Sequence, residues 1–213
     1  SAVLAGVPVY LFSEYVLYSF CKHPFFLNPL IYLPLILLGV DRIYRKKGPG
    51  MYIFALILSA CSNFYFFYMQ GILTVIYAIF QYFAYYHAIK WKKVAQLLAK
   101  FGLYTILAIC AAGIFLAPSL GLLFQTGRVS NENAVPFLYG IKYYARLFSG
   151  FISMDSPGYQ TFLGYSVIAF PAVIILFTSR GEKLLKIGFV LMTALLCIPW
   201  AAHVLNGMSY VTN

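Results

Sequence analysis

The sequence predicts an all-α fold: a polytopic integral membrane helix bundle with about seven transmembrane helices and a short extracytoplasmic interfacial helix. Of the 213 residues, 62% are hydrophobic, 19% are aromatic and only 9% are charged. Soluble domains carry about 25% charged and about 45–50% apolar residues, and a soluble protein of this size could not bury so much apolar surface. The apolar residues also form long runs that short basic segments interrupt. We therefore predict a single transmembrane domain over residues 1–213.

The net charge of +10 does not indicate a nucleic-acid partner, because the basic residues are not spread along a soluble surface. Eleven of the fifteen lie in three short clusters between apolar runs: Arg42, Arg45, Lys46 and Lys47; Lys90, Lys92, Lys93 and Lys100; Arg180, Lys183 and Lys186. Short basic connections of this kind follow the positive-inside rule and contact anionic lipid headgroups. The lipid bilayer is therefore the predicted partner, and these clusters are predicted to be cytoplasmic.

The number of crossings follows from the spacing of these clusters. Between Lys47 and Lys90 lie 42 residues without a charged side chain, too many for one crossing of about 20 residues and suitable for two. The turn between the two crossings is predicted at Asn63 to Tyr68, where a polar residue precedes aromatic side chains that favour the membrane interface.

Alternation of direction then places seven crossings along the chain. They are Ala2 to Phe20, Asn28 to Tyr44, Met51 to Ser62, Met69 to Tyr86, Phe101 to Phe124, Phe162 to Ser179 and Ile187 to Leu205. The third is short, and we expect it to be tilted, thinly covered or partly buried in protein. Prolines inside these runs predict kinks rather than breaks, because neighbouring helices can satisfy the freed carbonyl groups.

Residues 125–160 form the one long segment between predicted crossings, and we assign it as an extracytoplasmic loop. After Pro136, which suits the first turn of a helix, apolar and polar residues alternate at helical spacing. The apolar set is Phe137, Ile141, Tyr144 and Phe148, and the polar set is Tyr139, Lys142, Tyr143 and Arg146. This pattern predicts a short amphipathic helix in the outer interface.

Four basic residues are predicted on the outer side, Lys22, Arg128, Lys142 and Arg146, and the last three lie close to or within the amphipathic segment against the positive-inside trend. Lys142 and Arg146 are four residues apart and share one helix face, so they suit the phosphate of a lipid or glycan donor. Tyr143 and the segment with Asn63, Tyr65 and Tyr68 are predicted to shape the pocket beside them. The alternative is that these cations extend to ordinary headgroups.

Catalytic and metal-binding groups are harder to assign, because no nucleotide-binding, zinc-protease or serine-hydrolase motif is present. The four cysteines lack ligand spacing, so we predict neither a metal site nor a bound cofactor. Glu14 lies in an apolar run, where a charge is costly, and Asp155 lies in the outer loop. Both are candidate catalytic groups. The alternative for Glu14 is a protonated or hydrogen-bonded structural glutamate, and the alternatives for Asp155 are a metal ligand and a turn residue.

Several short segments resemble the YfhO family of bacterial membrane proteins. They occur in order along most of the chain: Phe26 to Leu30, Leu33 to Gly39 with Asp41 and Arg42, Ser62 to Met69, Ala117 to Ser119 with Arg128, and Leu205 to Asn213. The resemblance implies a GT-C-type glycosyltransferase in the bacterial plasma membrane. It implies a polyprenyl-phosphate-linked sugar as donor substrate and a cell-surface glycopolymer such as lipoteichoic acid as acceptor.

The same resemblance implies that the sequence is an internal fragment of a longer protein. The acid of the first outer loop, which is the expected catalytic group in the wider superfamily, would then precede Ser1. Two other classes stay open: a transporter or flippase of a lipid-linked glycan, and a noncatalytic membrane scaffold. An acid in an upstream outer loop would favour the enzyme.

Overall fold

The computed structural model describes residues 2–13, 16, 24–125, 136–149 and 169–205, and every regular element in these ranges is helical. A 3₁₀ turn, Pro24–Leu27, precedes the second of the α-helices. The α-helices are α1 Ala2–Leu11, α2 Asn28–Tyr44, α3 Gly50–Ser62, α4 Phe64–Tyr86, α5 Trp91–Gln125, α6 Ile141–Ser149, α7 Ala169–Thr178, α8 Lys183–Cys197 and α9 Pro199–Leu205. The predicted all-α membrane fold is confirmed.

Three stretches are long and apolar enough to cross a membrane: Phe25–Tyr44, Phe64–Tyr86 and Trp91–Ser119. The pair α8 and α9 makes a fourth if the two helices form one bent span. The described part of the chain thus has the several membrane-spanning helices of a multi-pass protein. The total of seven crossings stays a prediction.

The chain divides into two compact units, which we describe separately. The first unit comprises Ser1–Leu27 with Pro136–Ala201, and the second comprises Asn28–Val135 with Ala202–Asn213.

Helix α3 is the central element of the second unit, because it packs against α2, α4 and α5. Its side chains Ala55 and Leu56 are buried together with Ile36 and Val40 of α2 and Ala108 of α5. At 13 residues, it is about 20 Å long, shorter than the roughly 30 Å hydrocarbon layer. The expectation that this short segment is partly buried in protein is therefore confirmed.

A glycine allows α2 to approach α3 closely. A Cβ atom on Gly39 would lie 2.6 Å from the Cα atom of Tyr52, a distance that real side chains do not adopt. Small residues at helix interfaces serve this purpose in membranes, where tight packing replaces the hydrophobic effect as the cause of association.

The connection between α3 and α4 differs from the predicted six-residue turn at Asn63 to Tyr68. Helix α4 begins at Phe64, so Asn63 alone separates the two helices. Its backbone is extended, and its Oδ1 accepts a hydrogen bond from the Tyr65 amide at 2.9 Å. Because an asparagine N-cap satisfies a free amide of the new helix, one residue suffices, and the aromatic residues form the first turns of α4.

Helix α5 also begins earlier than predicted, at Trp91 rather than Phe101. The sequence prediction followed hydropathy and therefore found only the apolar part of the helix. The added turns contain Lys92, Lys93 and Lys100, and long unbranched side chains of this kind favour the helix where water is present.

The two basic connections of the second unit lie at the same end of the bundle. The Tyr44 hydroxyl, at the end of α2, donates to the Ala78 carbonyl of α4 at 2.7 Å. Next to it, Arg45 Nε donates to the Tyr85 hydroxyl at 3.3 Å, and the Lys90 amide donates to the Tyr82 hydroxyl at 2.8 Å. Helices α3 and α4 thus run away from this end and return to it, as the spacing between Lys47 and Lys90 predicts.

The clearest departure from the predicted spans lies in residues 187–205, of which 187–201 belong to the first unit and 202–205 to the second. The segment predicted as one crossing, Ile187 to Leu205, forms α8 and α9 with an 89° bend between them. Ile198 is extended there, with φ −110° and ψ 116°. Pro199 has no N–H group and disfavours a helical conformation of the preceding residue. By contrast, Pro34 and Pro118 lie inside continuous helices, as expected.

Two further bounds in the first unit differ from the predicted ones. Helix α1 ends at Leu11, whereas the predicted crossing continues to Phe20, mostly through residues outside the described ranges. Helix α7 covers Ala169–Thr178, and the start of its predicted crossing at Phe162 also lies outside them.

Candidate functional site

The described part of the chain brings polar side chains together at the end of the second unit opposite the basic connections. Asn28, the first residue of α2, donates from Nδ2 to Ser62 Oγ at 2.9 Å. Ser62 is the last residue of α3, and Asn63 follows it as the cap of α4. Asn28 and Ser62 each lie in one of the segments that carry the family resemblance, so the structure joins two such segments through residues 34 positions apart.

A second layer of polar groups lies deeper in the same end. Ser59 Oγ donates to Gln70 Oε1 at 2.6 Å, and Gln70 Nε2 donates to the Pro29 carbonyl at 3.2 Å. The Thr74 hydroxyl donates to the Gln70 carbonyl at 2.6 Å. Ser59, Gln70 and Thr74 are each at most 4% exposed. We name these three residues, with Asn28 and Ser62, the polar cluster.

Sequence reasoning missed the three buried members of the polar cluster. A signal was present, because Ser59, Gln70 and Thr74 are isolated polar residues in apolar runs, and Gln70 and Thr74 share a helix face at a spacing of four. Polar side chains inside a membrane protein face the interior of the bundle, where they find hydrogen-bond partners. Periodicity alone did not show which helix would supply those partners.

The predicted pocket residues of the second unit lie beside the polar cluster, at the start of α4. Asn63 uses its side chain to cap the helix, and Tyr65 is 39% exposed. The Tyr68 hydroxyl donates to the Val204 carbonyl at 2.9 Å. This bond ties the second-unit part of the last described helix, residues 202–205, to α4, so Tyr68 has a packing role that the sequence did not indicate.

In the first unit, α6 carries Lys142, Tyr143 and Arg146. It begins at Ile141, five residues after the predicted start at Pro136, so Phe137 and Tyr139 precede it. Phe137 and Ile141 are 81% and 85% exposed, and Lys142 is exposed as well. The helix is strongly amphipathic, with apolar and charged faces of the kind that favours a membrane interface.

Two tyrosines of α6 bind the end of α8. The Tyr143 hydroxyl donates to the Leu196 carbonyl at 2.9 Å, and the Tyr144 hydroxyl donates to the Cys197 carbonyl at 3.0 Å. These carbonyls belong to the last turn of α8, where intrahelical donors are missing. Tyr143, predicted to line a pocket, therefore also caps a helix that ends at a proline. The rings of Tyr139 and Tyr143 stack with centroids 4.0 Å apart.

Three predicted site residues, Glu14, Arg128 and Asp155, lie outside the described residues, as does the side chain of Arg146. The grouping of Arg128 with Lys142 and Arg146 therefore stays a prediction. Within the described ranges, no group of three His, Cys, Asp or Glu side chains could hold a metal ion.

The comparisons with known proteins agree on one family. A family model described as bacterial membrane protein YfhO matches residues 1–212. A protein of Bacillus subtilis (strain 168), named "Uncharacterized protein YfhO", is 35% identical over 80 residues, which is 38% of this chain and 9% of that protein. No solved structure matches the chain at a significant level.

Proposed function

The chain belongs to the YfhO family of bacterial membrane proteins, and from that premise we propose that the complete protein carrying it is a membrane glycosyltransferase. It moves a sugar from a polyprenyl-phosphate donor to a cell-surface polymer, such as lipoteichoic acid, on the extracytoplasmic side of the membrane. The observation that carries the proposal is the polar cluster, in which two family segments meet at the end of the second unit opposite its basic connections.

Burial of polar groups in an apolar bundle supports a site at this end. Polar side chains are costly inside a membrane and occur where packing or function requires them. Ser59 and Gln70 bind each other and the first turn of α2, which fixes Asn28 and Ser62 at the bundle end. If the basic connections are cytoplasmic, this end faces the side on which a polyprenyl-linked sugar would be used.

The reaction has two chemical requirements. A general base must accept the proton of the acceptor hydroxyl as it attacks the sugar, and cations must stabilise the lipid phosphate as it leaves. Arg128, Lys142 and Arg146 are the proposed phosphate contacts, since they are basic residues on the predicted outer side. Glu14 and Asp155 remain candidates for the base.

The test uses the complete protein, reconstituted in proteoliposomes with a polyprenyl-phosphate-linked radiolabelled sugar and a glycerol-phosphate polymer as acceptor. The proposal expects label on the polymer. Movement of the lipid-linked sugar across the bilayer without transfer would identify a flippase instead. Absence of both activities, in protein that binds the lipid-linked sugar, would support the scaffold interpretation.

A pair of variants asks whether the polar cluster contributes to that activity. Asn28→Ala removes the hydrogen bond to Ser62. Because such a bond is worth about 1 kcal/mol, this variant should transfer sugar roughly fivefold more slowly. Thr178→Val is the control, because among the described residues the Thr178 hydroxyl donates to carbonyl groups of its own helix. Equal activity of both variants would separate the polar cluster from the reaction.

A further inference from the structure

At the basic end of the second unit, the two positively charged segments are linked through α4. Two consecutive tyrosines near the end of α4 each hold one cation, and each cation comes from a different basic segment. Arg45, which follows α2, donates from Nε to the Tyr85 hydroxyl at 3.3 Å. Lys93, in the first turn of α5, lies with Nζ 5.1 Å from the centre of the Tyr86 ring. The two cations come from positions 48 residues apart in the sequence.

From this juxtaposition we propose that Arg45 and Lys93, held by Tyr85 and Tyr86, form a binding site for the headgroup of an anionic phospholipid in the adjacent leaflet. Phosphate is the chemistry that a guanidinium and an ammonium recognise together. The site is distinct from the polar cluster at the other end of the unit, and it does not depend on the proposed sugar transfer.

The charges around the site are free to act on a ligand. The Asp41 carboxylate accepts hydrogen bonds from the neutral donors Tyr77 and Gln81, at 3.0 and 2.7 Å. Within the described residues it forms no ion pair with Arg45, whose side chain is exposed. The hydrogen bond to the Tyr85 hydroxyl is the main cause that raises the pKa of Arg45, and a guanidinium is in any case charged throughout the physiological pH range.

The surroundings of the site favour a lipid over a free anion. Trp91 lies two residues before Lys93 and is 78% exposed, and Ile89 beside it is 57% exposed. Tryptophan prefers the boundary between headgroups and acyl chains, so these side chains place the cations at headgroup level. Basic pockets between helix ends on the cytoplasmic side are typical headgroup sites.

The experiment measures how strongly the complete protein, purified in neutral detergent, retains phosphatidylglycerol relative to phosphatidylcholine, by native mass spectrometry. Arg45→Gln and Lys93→Gln should each weaken phosphatidylglycerol retention about fivefold, the effect of one basic side chain near a membrane surface. Lys100→Gln, which removes an exposed charge from α5 two turns further on, is the matched control and should change retention less than twofold.

A variant that keeps every charge separates a built site from general electrostatics. Tyr85→Phe retains the ring that stacks on Tyr44 at 5.4 Å but loses the hydroxyl that holds Arg45. It should weaken retention two- to fivefold without altering that of phosphatidylcholine. An effect of Lys100→Gln equal to that of Arg45→Gln would overturn the proposal in favour of diffuse attraction, as would unchanged retention in Tyr85→Phe. Competition by millimolar inorganic phosphate would show that the site takes a free anion instead of a lipid.

Discussion

Tyr143 and Tyr144 illustrate how single side chains can satisfy a helix end in an apolar protein. Helix α8 ends at Cys197 with Ile198 extended, so the carbonyl groups of its last turn lack the amide donors that a continuing helix would provide. The two hydroxyl groups donate to Leu196 and Cys197 instead. The sequence predicted both residues on one amphipathic helix, but it could not show these bonds, because the acceptors are backbone atoms 53 residues away.

The tyrosine bonds predict a local change in thiol reactivity. Tyr144→Phe leaves the Cys197 carbonyl without its donor, which costs about 1–3 kcal/mol, or roughly 5- to 150-fold in the opening equilibrium of that turn. The labelling rate of the Cys197 thiol by a small maleimide in detergent should rise accordingly. Cys61 in the second unit is the internal control and should label at its parental rate. An unchanged rate at Cys197 would show that the bond does not hold the end of α8.

The proposed phosphate cations lead to a second prediction at this scale. Arg128→Ala and Arg146→Ala should each lower sugar transfer by the complete protein about 10- to 150-fold, because a hydrogen bond to a charged group is worth about 1.5–3 kcal/mol. Arg146→Lys should recover part of the loss, since an ammonium cannot form the paired bonds of a guanidinium. Lys100→Ala, on a predicted cytoplasmic helix extension, should leave transfer unchanged. Parental rates in both arginine variants would mean that these residues only anchor the loop to headgroups.

At the scale of the element, agreement between sequence and structure depends on how each helix is bounded. The predicted bounds of α2, Asn28 to Tyr44, match the structure, because polar residues or charges enclose that apolar run. Helix α4 starts five residues earlier than predicted. The side chain of a single asparagine caps it, and hydropathy does not detect a cap. At Pro199 the sequence predicted a kink, whereas the structure has an 89° bend between two helices, with tyrosine hydroxyl groups on the carbonyls of the first that hydropathy does not reveal.

The contact between α2 and α3 predicts opposite effects for two glycine substitutions. In Gly39→Ala the new methyl group would overlap the Tyr52 backbone, and overpacking costs about 1–3 kcal/mol. In Gly71→Ala the methyl group would meet nothing within 4 Å, and alanine favours the helix by about 0.5–1 kcal/mol. Thermal denaturation in detergent should therefore show a lower midpoint for the first variant and an equal or higher one for the second. A stable Gly39→Ala protein would contradict the close approach of α2 and α3.

At the scale of the whole molecule, the predicted membrane topology can be compared with the position of the two basic connections in the second unit. The hydrogen bonds between Arg45 and Tyr85 and between Lys90 and Tyr82 place the two basic connections at one end. Charge distribution predicted that end to be cytoplasmic, and the structure shows independently that both connections share it. The choice of side comes from the positive-inside rule.

Labelling of single cysteines tests the topology prediction. The cysteines are placed in a cysteine-free background and labelled from outside intact cells, and the prediction can fail in two distinguishable ways. A membrane-impermeant reagent should reach cysteines at positions 132 and 156 and should not reach those at positions 47, 92 or 183, with lysed cells as the control for reactivity. Labelling at position 47 without position 92, or the reverse, would contradict the structure, since one end of a bundle cannot lie on both sides of a membrane. Labelling at both 47 and 92 would preserve the bundle and reverse its orientation. The polar cluster would then face the cytoplasm, where an extracytoplasmic sugar transfer could not use it.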